Sequence, residues 1–391
     1  MKQVKRFVFV PLMMVLLFVG VSPNALAATT YSDVPSNYWA AKEIYYLSDL
    51  GVLKGKNNNL FDRDSHVTRA EAAAILVRAK NLSLSNVPDP GFKDVSKSYR
   101  FYKEIAAAVN AGWFQKADKF NPTAPLKRVD MAKITALSFD IRGSVPVDWE
   151  DMGKNYHGNA YITPLLANGI TSGFTATTFK PSDFVTRAQM AVFTARAIAP
   201  EYRLKVISYP KHAGDGIYYP QFKDSTNKNN FSYLNSYIQA EGQKLVKEKQ
   251  SIMKLSLEDD MMGEFYTFDT SYKITRSDLN FISVLFEGYT YTGGAHGIAY
   301  LFSYNYDVKN ERFNSLHDLA TKSGYEDKII QHINTMNSEF YPQFGGPKNL
   351  DELQNQFYMT PTNFVMFLNP YEYAPYAAGI REFSMPYSWI R

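Results

Sequence analysis

The chain has 391 residues, 45% of them hydrophobic and 20% charged, with a net charge of +4: a globular composition with room for two or three domains. It contains no cysteine, which excludes disulfides, thiol catalysis and cysteine-ligated metals together. Residues 29–200 carry 21 Lys and Arg against 16 Asp and Glu, residues 201–391 carry 18 against 22, and neither part has the basic run expected of a nucleic-acid binder.

The first 27 residues read as a secretory signal peptide. Lys2, Lys5 and Arg6 precede an apolar stretch over 7–21, and Ala25-Leu26-Ala27 supplies the small-residue cleavage site. No second apolar run of about 18 residues follows, so no membrane span is expected in the mature chain. Export without cysteine fits a bacterial surface that lacks a disulfide-forming compartment.

From residue 29 a unit recurs. Thr68-Arg69-Ala70-Glu71, Lys127-Arg128-Val129-Asp130 and Thr186-Arg187-Ala188-Gln189 place their arginines 59 residues apart, twice. Phe61, Phe120 and Phe179 lie eight residues upstream of them, and Gly51, Gly112 and Gly169 sixteen to eighteen upstream. Each unit opens on an aromatic-x-Asp, ending at Asp33, Asp94 and Asp151. The units span 29–84, 88–142 and 145–200, and each reads as two helices joined by a loop. Ile44 and Leu47, Ile105 and Ala108, and Ile162 and Leu165 form one-sided stripes before each glycine, which sits where a left-handed C-terminal residue belongs. The second helix starts at the arginine motif and directs Ile75, Ile134 and Phe193 inward.

Thr68 with Glu71, and Thr186 with Gln189, form capping boxes, each threonine worth about 1 kcal/mol. An arginine at the first helical position opposes the helix dipole, so helix stability does not select it. Free helix-end amides beside a guanidinium suit a carboxylate or phosphate. The alternative is a structural ion pair with Asp33, Asp94 and Asp151.

The pattern aromatic-x-Asp-Val, helix, Gly-Val, Phe-x-Pro, Thr-Arg-Ala-Glu resembles the S-layer homology domain, three times over residues 31–198. The resemblance implies an all-α domain of pseudo-threefold symmetry whose grooves bind pyruvylated secondary cell-wall polysaccharide. It assigns Arg69, Arg128 and Arg187 to the ketal carboxylate, beside Thr68, Glu71 and Thr186. Trp39 either stacks on a sugar or packs inside. The middle unit departs from the pattern, with Lys127 for the threonine and Asp130 for the glutamate, so the second groove is expected to be the weakest.

Residues 205–391 read differently, as an α+β domain with an antiparallel sheet in two segments, about 205–297 and 298–391. Residues 209–222 read as extended chain and 231–249 as an amphipathic helix. Residues 264–276, 280–291 and 298–308, rich in Phe, Tyr, Ile and Val, read as three adjacent antiparallel strands. A helix over 316–340 and strands over 363–368 and 382–387 complete the pattern. The turn Tyr289-Thr290-Tyr291-Thr292-Gly293-Gly294-Ala295-His296-Gly297 presents His296 beside exposed tyrosines. The six histidines show no metal-binding spacing, so neither a metal nor a cofactor is expected. Glu258-Asp259-Asp260 with Glu264 reads as a solvated loop.

That turn, with Tyr304-Asn305-Tyr306-Asp307 and residues 369–380, is similar to an exported domain family. It forms the extracellular region of lysozyme-sensing anti-sigma factors and the non-catalytic N-terminal region of certain peptidoglycan deacetylases. The family has proline where this chain has Gly297. Two functions follow. One is a wall-anchored surface protein whose distal half binds lysozyme, another cationic protein or a wall glycan through Tyr289, Tyr291 and His296. The other is a peptidoglycan-acting enzyme using His296 and nearby carboxylates.

Overall fold

The computed structural model describes residues 30–56, 59–259, 262–353 and 355–391. The signal peptide and Asp260 lie outside the described residues. No described helix is long and apolar enough to cross a membrane.

The N-terminal half is helical: α1 (Ala41–Asp49), α2 (Arg69–Ala79), α3 (Tyr102–Asn110), α4 (Arg128–Phe139), α5 (Asn159–Ala167) and α6 (Arg187–Ile198). Gly51, Gly112 and Gly169 follow the first helix of each unit with φ of 68°, 80° and 68°, a conformation that costs glycine little. Ile44, Leu47, Ile105, Ala108, Ile162 and Leu165 are all fully buried, as their spacing predicts. The capping boxes of α2 and α6 are formed, whereas Lys127 gives α4 no side-chain cap.

Each unit is finished by its neighbour. The helix α3 packs on α2, α5 on α4, and α1 closes on α6. A triangle of backbone hydrogen bonds joins the three units: Val67 N–H to the Val185 carbonyl, Val185 to Leu126, and Leu126 to Val67, each 2.9 Å. The leading aspartates hold the loops rather than the arginines. Asp33 accepts from the Phe61 and Arg63 amides, Asp94 from Phe120 and Asn121, and Asp151 from Phe179 and Lys180. The residue after each phenylalanine (Asp62, Asn121, Lys180) adopts positive φ, so the carboxylate clamps a strained turn.

The C-terminal half is β-rich. Strands β1 (Val206–Gly214) and β2 (Ile217–Asp224) form a hairpin where the sequence reads as extended chain. Asp215-Gly216 between them, both at positive φ, is the type of dipeptide that closes two-residue hairpins. The helix α7 (Ser232–Ser256) outruns the expected 231–249. The expected trio of strands is present as β3 (Thr267–Ser277), β4 (Phe281–Tyr291) and β5 (Ile298–Asp307), antiparallel and in that order. A short β6 (Arg312–Phe313) extends this sheet. The helix expected over 316–340 is interrupted, giving α8 (Leu316–Leu319) and α9 (Tyr325–Phe340). Strands β7 (Phe357–Met359), β8 (Asn363–Leu368) and β9 (Arg381–Pro386) form a second antiparallel sheet.

The central strand β4 is covered on both faces. Ile282, Val284 and Phe286 join the cluster containing α7, while Phe281 and Leu285 pack against residues of the second sheet. Ser283 shares the second face. It donates to Asn305 Oδ1 at 2.7 Å and accepts from the Met359 amide at 2.9 Å. Asn305 in turn donates to the Phe357 carbonyl, so one buried polar network joins the two sheets. The halves of the chain meet through Lys211 and Asp148, 2.6 Å apart, and through Tyr272, which donates to the Ala176 carbonyl.

Candidate functional site

The three arginines reach forward into the next unit. Arg69 Nε donates to the Phe120 carbonyl at 2.9 Å, Arg128 to Phe179 at 2.8 Å and Arg187 to Phe61 at 2.9 Å. Each guanidinium also lies over the same phenyl ring, 5.0, 4.8 and 4.7 Å from its centre. These bonds close a ring from the third unit back to the first. They fix the side chains as rigid, partly desolvated cations.

Burial lowers the pKa of all three. It is opposed by Asp130 at Arg69, by Asp183 and Asp151 at Arg128, and by Glu71 at Arg187. Arg128, only 3% exposed, is pushed down to about 10 and stays charged at neutral pH. The alternative of ion pairs with the leading aspartates gives way to these carbonyl contacts. The expected free helix-end amides are also occupied. The Arg69 N–H donates to the Ala124 carbonyl, Arg128 to Asp183 and Arg187 to Ser65, while the next amide in each helix donates to Pro122, Pro181 and Arg63. Any anion here meets side chains, not a helix terminus.

Three grooves lie at the junctions. The first, about 450 Å³, holds Arg187 with Lys54, Lys56, Arg78 and Arg100, against a single carboxylate, Glu71. Arg187 donates further to the Lys54 carbonyl, and its Nη1 lies 3.8 Å from Glu71. The second, about 290 Å³, holds Arg128 and Arg196 with Trp39, Phe174 and Gln189. Trp39 is 59% exposed there, so it is not a core residue. Among the described residues buried Arg196 Nε has no hydrogen-bond partner, although Glu43 lies 3.8 Å away. The third, about 660 Å³, holds Arg69 and Lys127 with Asp94 and Asp130, and is balanced in charge.

Each arginine therefore shares its groove with the third residue of the following unit's second helix: Arg187 with Glu71, Arg128 with Gln189, Arg69 with Asp130. The substitutions at Lys127 and Asp130 fall on the groove of Arg69, not on that of Arg128. Thr68 and Thr186 serve as caps, donating structure rather than a groove contact. Sequence reasoning missed Arg78, Arg196 and Arg100. The first two lie nine residues after Arg69 and Arg187, and Arg100 occupies the place of Trp39 in the next unit, so the same period contained them.

The distal residues are arranged as a surface turn. Tyr289 is 40% exposed, and the Tyr291 hydroxyl donates to the Gly294 carbonyl, leaving Tyr291 half-buried. The His296 ring stacks on Tyr376 with centres 3.5 Å apart, and its Nε2 lies 3.2 Å from the Tyr371 hydroxyl. Its Nδ1 is 3.1 Å from the Gly297 carbonyl. No carboxylate bonds to His296 among the described residues. A side chain at Gly297 would strike the Tyr289 ring, so this turn has the geometry of glycine rather than of proline. Asp259 accepts from Tyr266 and from the Met262 amide, which makes it part of a structured turn. Among the described residues no group of three or more His, Asp or Glu could hold a metal ion.

Residues 30–73, 91–132 and 151–191 match the S-layer homology domain family, residues 216–299 match Deacetylase PdaC, and residues 314–388 match a protein family of unknown function, DUF3298. An S-layer protein of Bacillus thuringiensis subsp. finitimus is 30% identical over 45% of this chain and 22% of its own length. An uncharacterized cell wall amidase of Bacillus anthracis is 30% identical over 44% of this chain and 33% of its own. The chain thus spans about a fifth to a third of the length of these relatives. The crystal structure of a DUF3298 family protein from Pseudomonas aeruginosa PAO1 is 13% identical, covering 48% of this chain and 92% of that one, with a TM-score of 0.30. The chain carries three S-layer homology domains followed by PdaC and DUF3298 segments, the make-up of a cell-wall surface protein.

Proposed function

We propose that this cell-wall surface protein holds an acidic secondary wall polysaccharide in the three junction grooves, with the arginines meeting its pyruvyl carboxylates. The observation that carries this is the closed ring of arginines. Each is locked through Nε and a ring face, and each borders an open groove beside further cations or aromatics. The cyclic bonding supports a pseudo-threefold arrangement of the three units. Groove charge then sets the order: Arg187 strongest, Arg128 with Trp39 as a stacking platform next, Arg69 weakest because Asp94 and Asp130 oppose it. Arg100 tests this without touching the fold, since it is exposed at the rim. Calorimetry of the mature chain with purified polysaccharide should show Arg100→Ala weaker by about 1.5–3 kcal/mol, the worth of one charge-assisted hydrogen bond. Unchanged binding in Arg100→Ala, or a larger loss in Arg69→Ala than in Arg100→Ala, would contradict the graded-groove order.

The β-rich half is displayed as a binding unit rather than a catalyst. His296 is engaged by Tyr371 and Tyr376, which leaves it a structural partner. The match to a deacetylase family and the amidase relative name the competing activity. A zymogram of the mature chain on wall material separates the two, and clearing would mean catalysis. Neither the turn geometry nor the relatives add support for a lysozyme-type partner. Calorimetry against lysozyme decides it, with saturable heat lost in Tyr289→Ala as the supporting outcome.

A further inference from the structure

The loop that walls the Arg128 groove is held from the other half of the chain. Thr171, Ser172, Gly173 and Phe174 line that groove together with Trp39 and Gln189. Phe174 is 48% exposed, and its ring centre lies 5.4 Å from the Arg128 guanidinium carbon. Arg128 Nη2 donates to the Gly173 carbonyl at 3.5 Å. The loop therefore forms a wall and also orients the cation beside it. Directly after Phe174 the chain turns back. The Phe174 amide donates to the Thr178 carbonyl at 2.8 Å, and the Thr175 and Thr178 hydroxyls lie 2.6 Å apart, which leaves Ala176 at the tip. A turn closed at its base moves as one piece, so whatever fixes the tip also fixes Phe174.

The β-rich half fixes it at two points. Tyr272 of β3, 4% exposed, donates to the Ala176 carbonyl at 3.0 Å. Among the described residues Ala176 is the only residue of the helical half packed against the apolar cluster that contains α7, β3 and β4. The second hold runs through β1. Lys211 pairs with Asp148, and the Asp148 amide donates to the Pro210 carbonyl. Two residues on, the Glu150 amide donates to the Thr177 carbonyl, and the Glu150 carboxylate accepts from the Thr177 hydroxyl at 2.7 Å. Neither Tyr272 nor Lys211 lines the groove. We propose that the β-rich half is a positioning element of the Arg128 groove, with Tyr272 acting through Ala176 to set the Gly173–Phe174 wall and the guanidinium beside it. This rests on the reading of the grooves as polysaccharide sites and extends it: one groove takes its shape from the half that does not line it.

Fluorine NMR of the mature chain labelled with 5-fluorotryptophan tests it. Trp39 reports from the groove, and Trp149 from beneath the loop, where a side chain on Gly173 would strike its indole. The probe is a single repeat unit cut from purified wall polysaccharide with its pyruvyl group retained, and it should shift the Trp39 resonance saturably. Tyr272→Phe should move the Trp149 resonance of the free chain. It should also weaken the affinity read at Trp39 roughly three- to tenfold, the effect of one lost hydrogen bond. Phe174→Ala should weaken that affinity at least as much. Tyr272→Phe added to Phe174→Ala should then cost little more, because the wall it positions is gone. Lys211→Met releases the second hold from a partly exposed site, should lower the same affinity, and serves where Tyr272→Phe fails to fold. An affinity at Trp39 indifferent to both variants would overturn the positioning role and leave the groove standing. So would a Tyr272→Phe loss that adds in full to that of Phe174→Ala. No Trp39 response in the unsubstituted chain would overturn the groove reading, and the positioning role with it.

Discussion

The two halves bury their polar groups at different kinds of junction. In the helical half the junction occurs three times, between one unit and the next, and it leaves a charged guanidinium in the wall of a groove each time. In the β-rich half the Ser283–Asn305 network occurs once, between two sheets, and is sealed. A repeated junction can lose one copy and keep its purpose, so substitutions such as Lys127 and Asp130 grade the copies. A single junction has no spare. Function is therefore expected to be distributed in the first half and concentrated in the second.

Breaking the first half structurally takes a core residue. Phe179, fully buried beneath Arg128, serves both as core and as the floor of a groove. Phe179→Ala should cost about 3–5 kcal/mol in urea unfolding followed by tryptophan fluorescence. A loss below about 1 kcal/mol would mean that the ring of arginines and phenylalanines is not what closes the units.

In the β-rich half, Ser283→Ala strands the Met359 amide and Asn305 Oδ1 together. About 2–3 kcal/mol should be lost. Unfolding monitored through Trp389, which packs beside the second sheet, should report it. An unaffected midpoint would show that the sheets are held by apolar contact alone.

Much of this was legible in the amino-acid sequence, for a physical reason. The helical half repeats, so one reading of Phe, Gly and Thr-Arg positions served three times, and the stripes at Ile44, Ile105 and Ile162 needed only helical periodicity. What the period cannot show is which unit completes which. The handover of Arg69 to Phe120, 51 residues on, and of Arg187 back to Phe61, 126 residues away, like the carbonyls that consume the helix-end amides, are distant contacts that carry no local signal. In the distal half the three long strands were visible from alternation and aromatic content. The β1–β2 hairpin had its Asp215-Gly216 signal but lies in a short, Pro-containing stretch. The break between α8 and α9 falls at Gly324, at positive φ, within an otherwise helical pattern. Arg100 and Arg196 were within reach of the same 59-residue logic.

A smaller effect sharpens the contrast through pH. Burial raises the Asp33 and Asp94 carboxyls, but the backbone amides they accept outweigh it, so both titrate below the ordinary range. A carboxyl lowered in the folded state contributes stability above its unfolded value, about 3.9, and loses it as pH falls through the folded value. Asp33→Asn should therefore cost about 1–2 kcal/mol at neutral pH and nearly nothing below about pH 3. A cost that persists unchanged in acid would assign the effect to packing instead of to the ionised clamp.

The most direct test of the central claim changes the polysaccharide rather than the protein. Purified wall polysaccharide is divided, one part having its carboxylates reduced to alcohols, and both are titrated with the mature chain at fixed salt. The arginine ring predicts tight binding to the native form and a loss of at least roughly tenfold on reduction, with the Arg69→Ala, Arg128→Ala, Arg187→Ala triple variant indifferent to the change. Equal affinity of the native chain for both forms would contradict carboxylate recognition at these grooves.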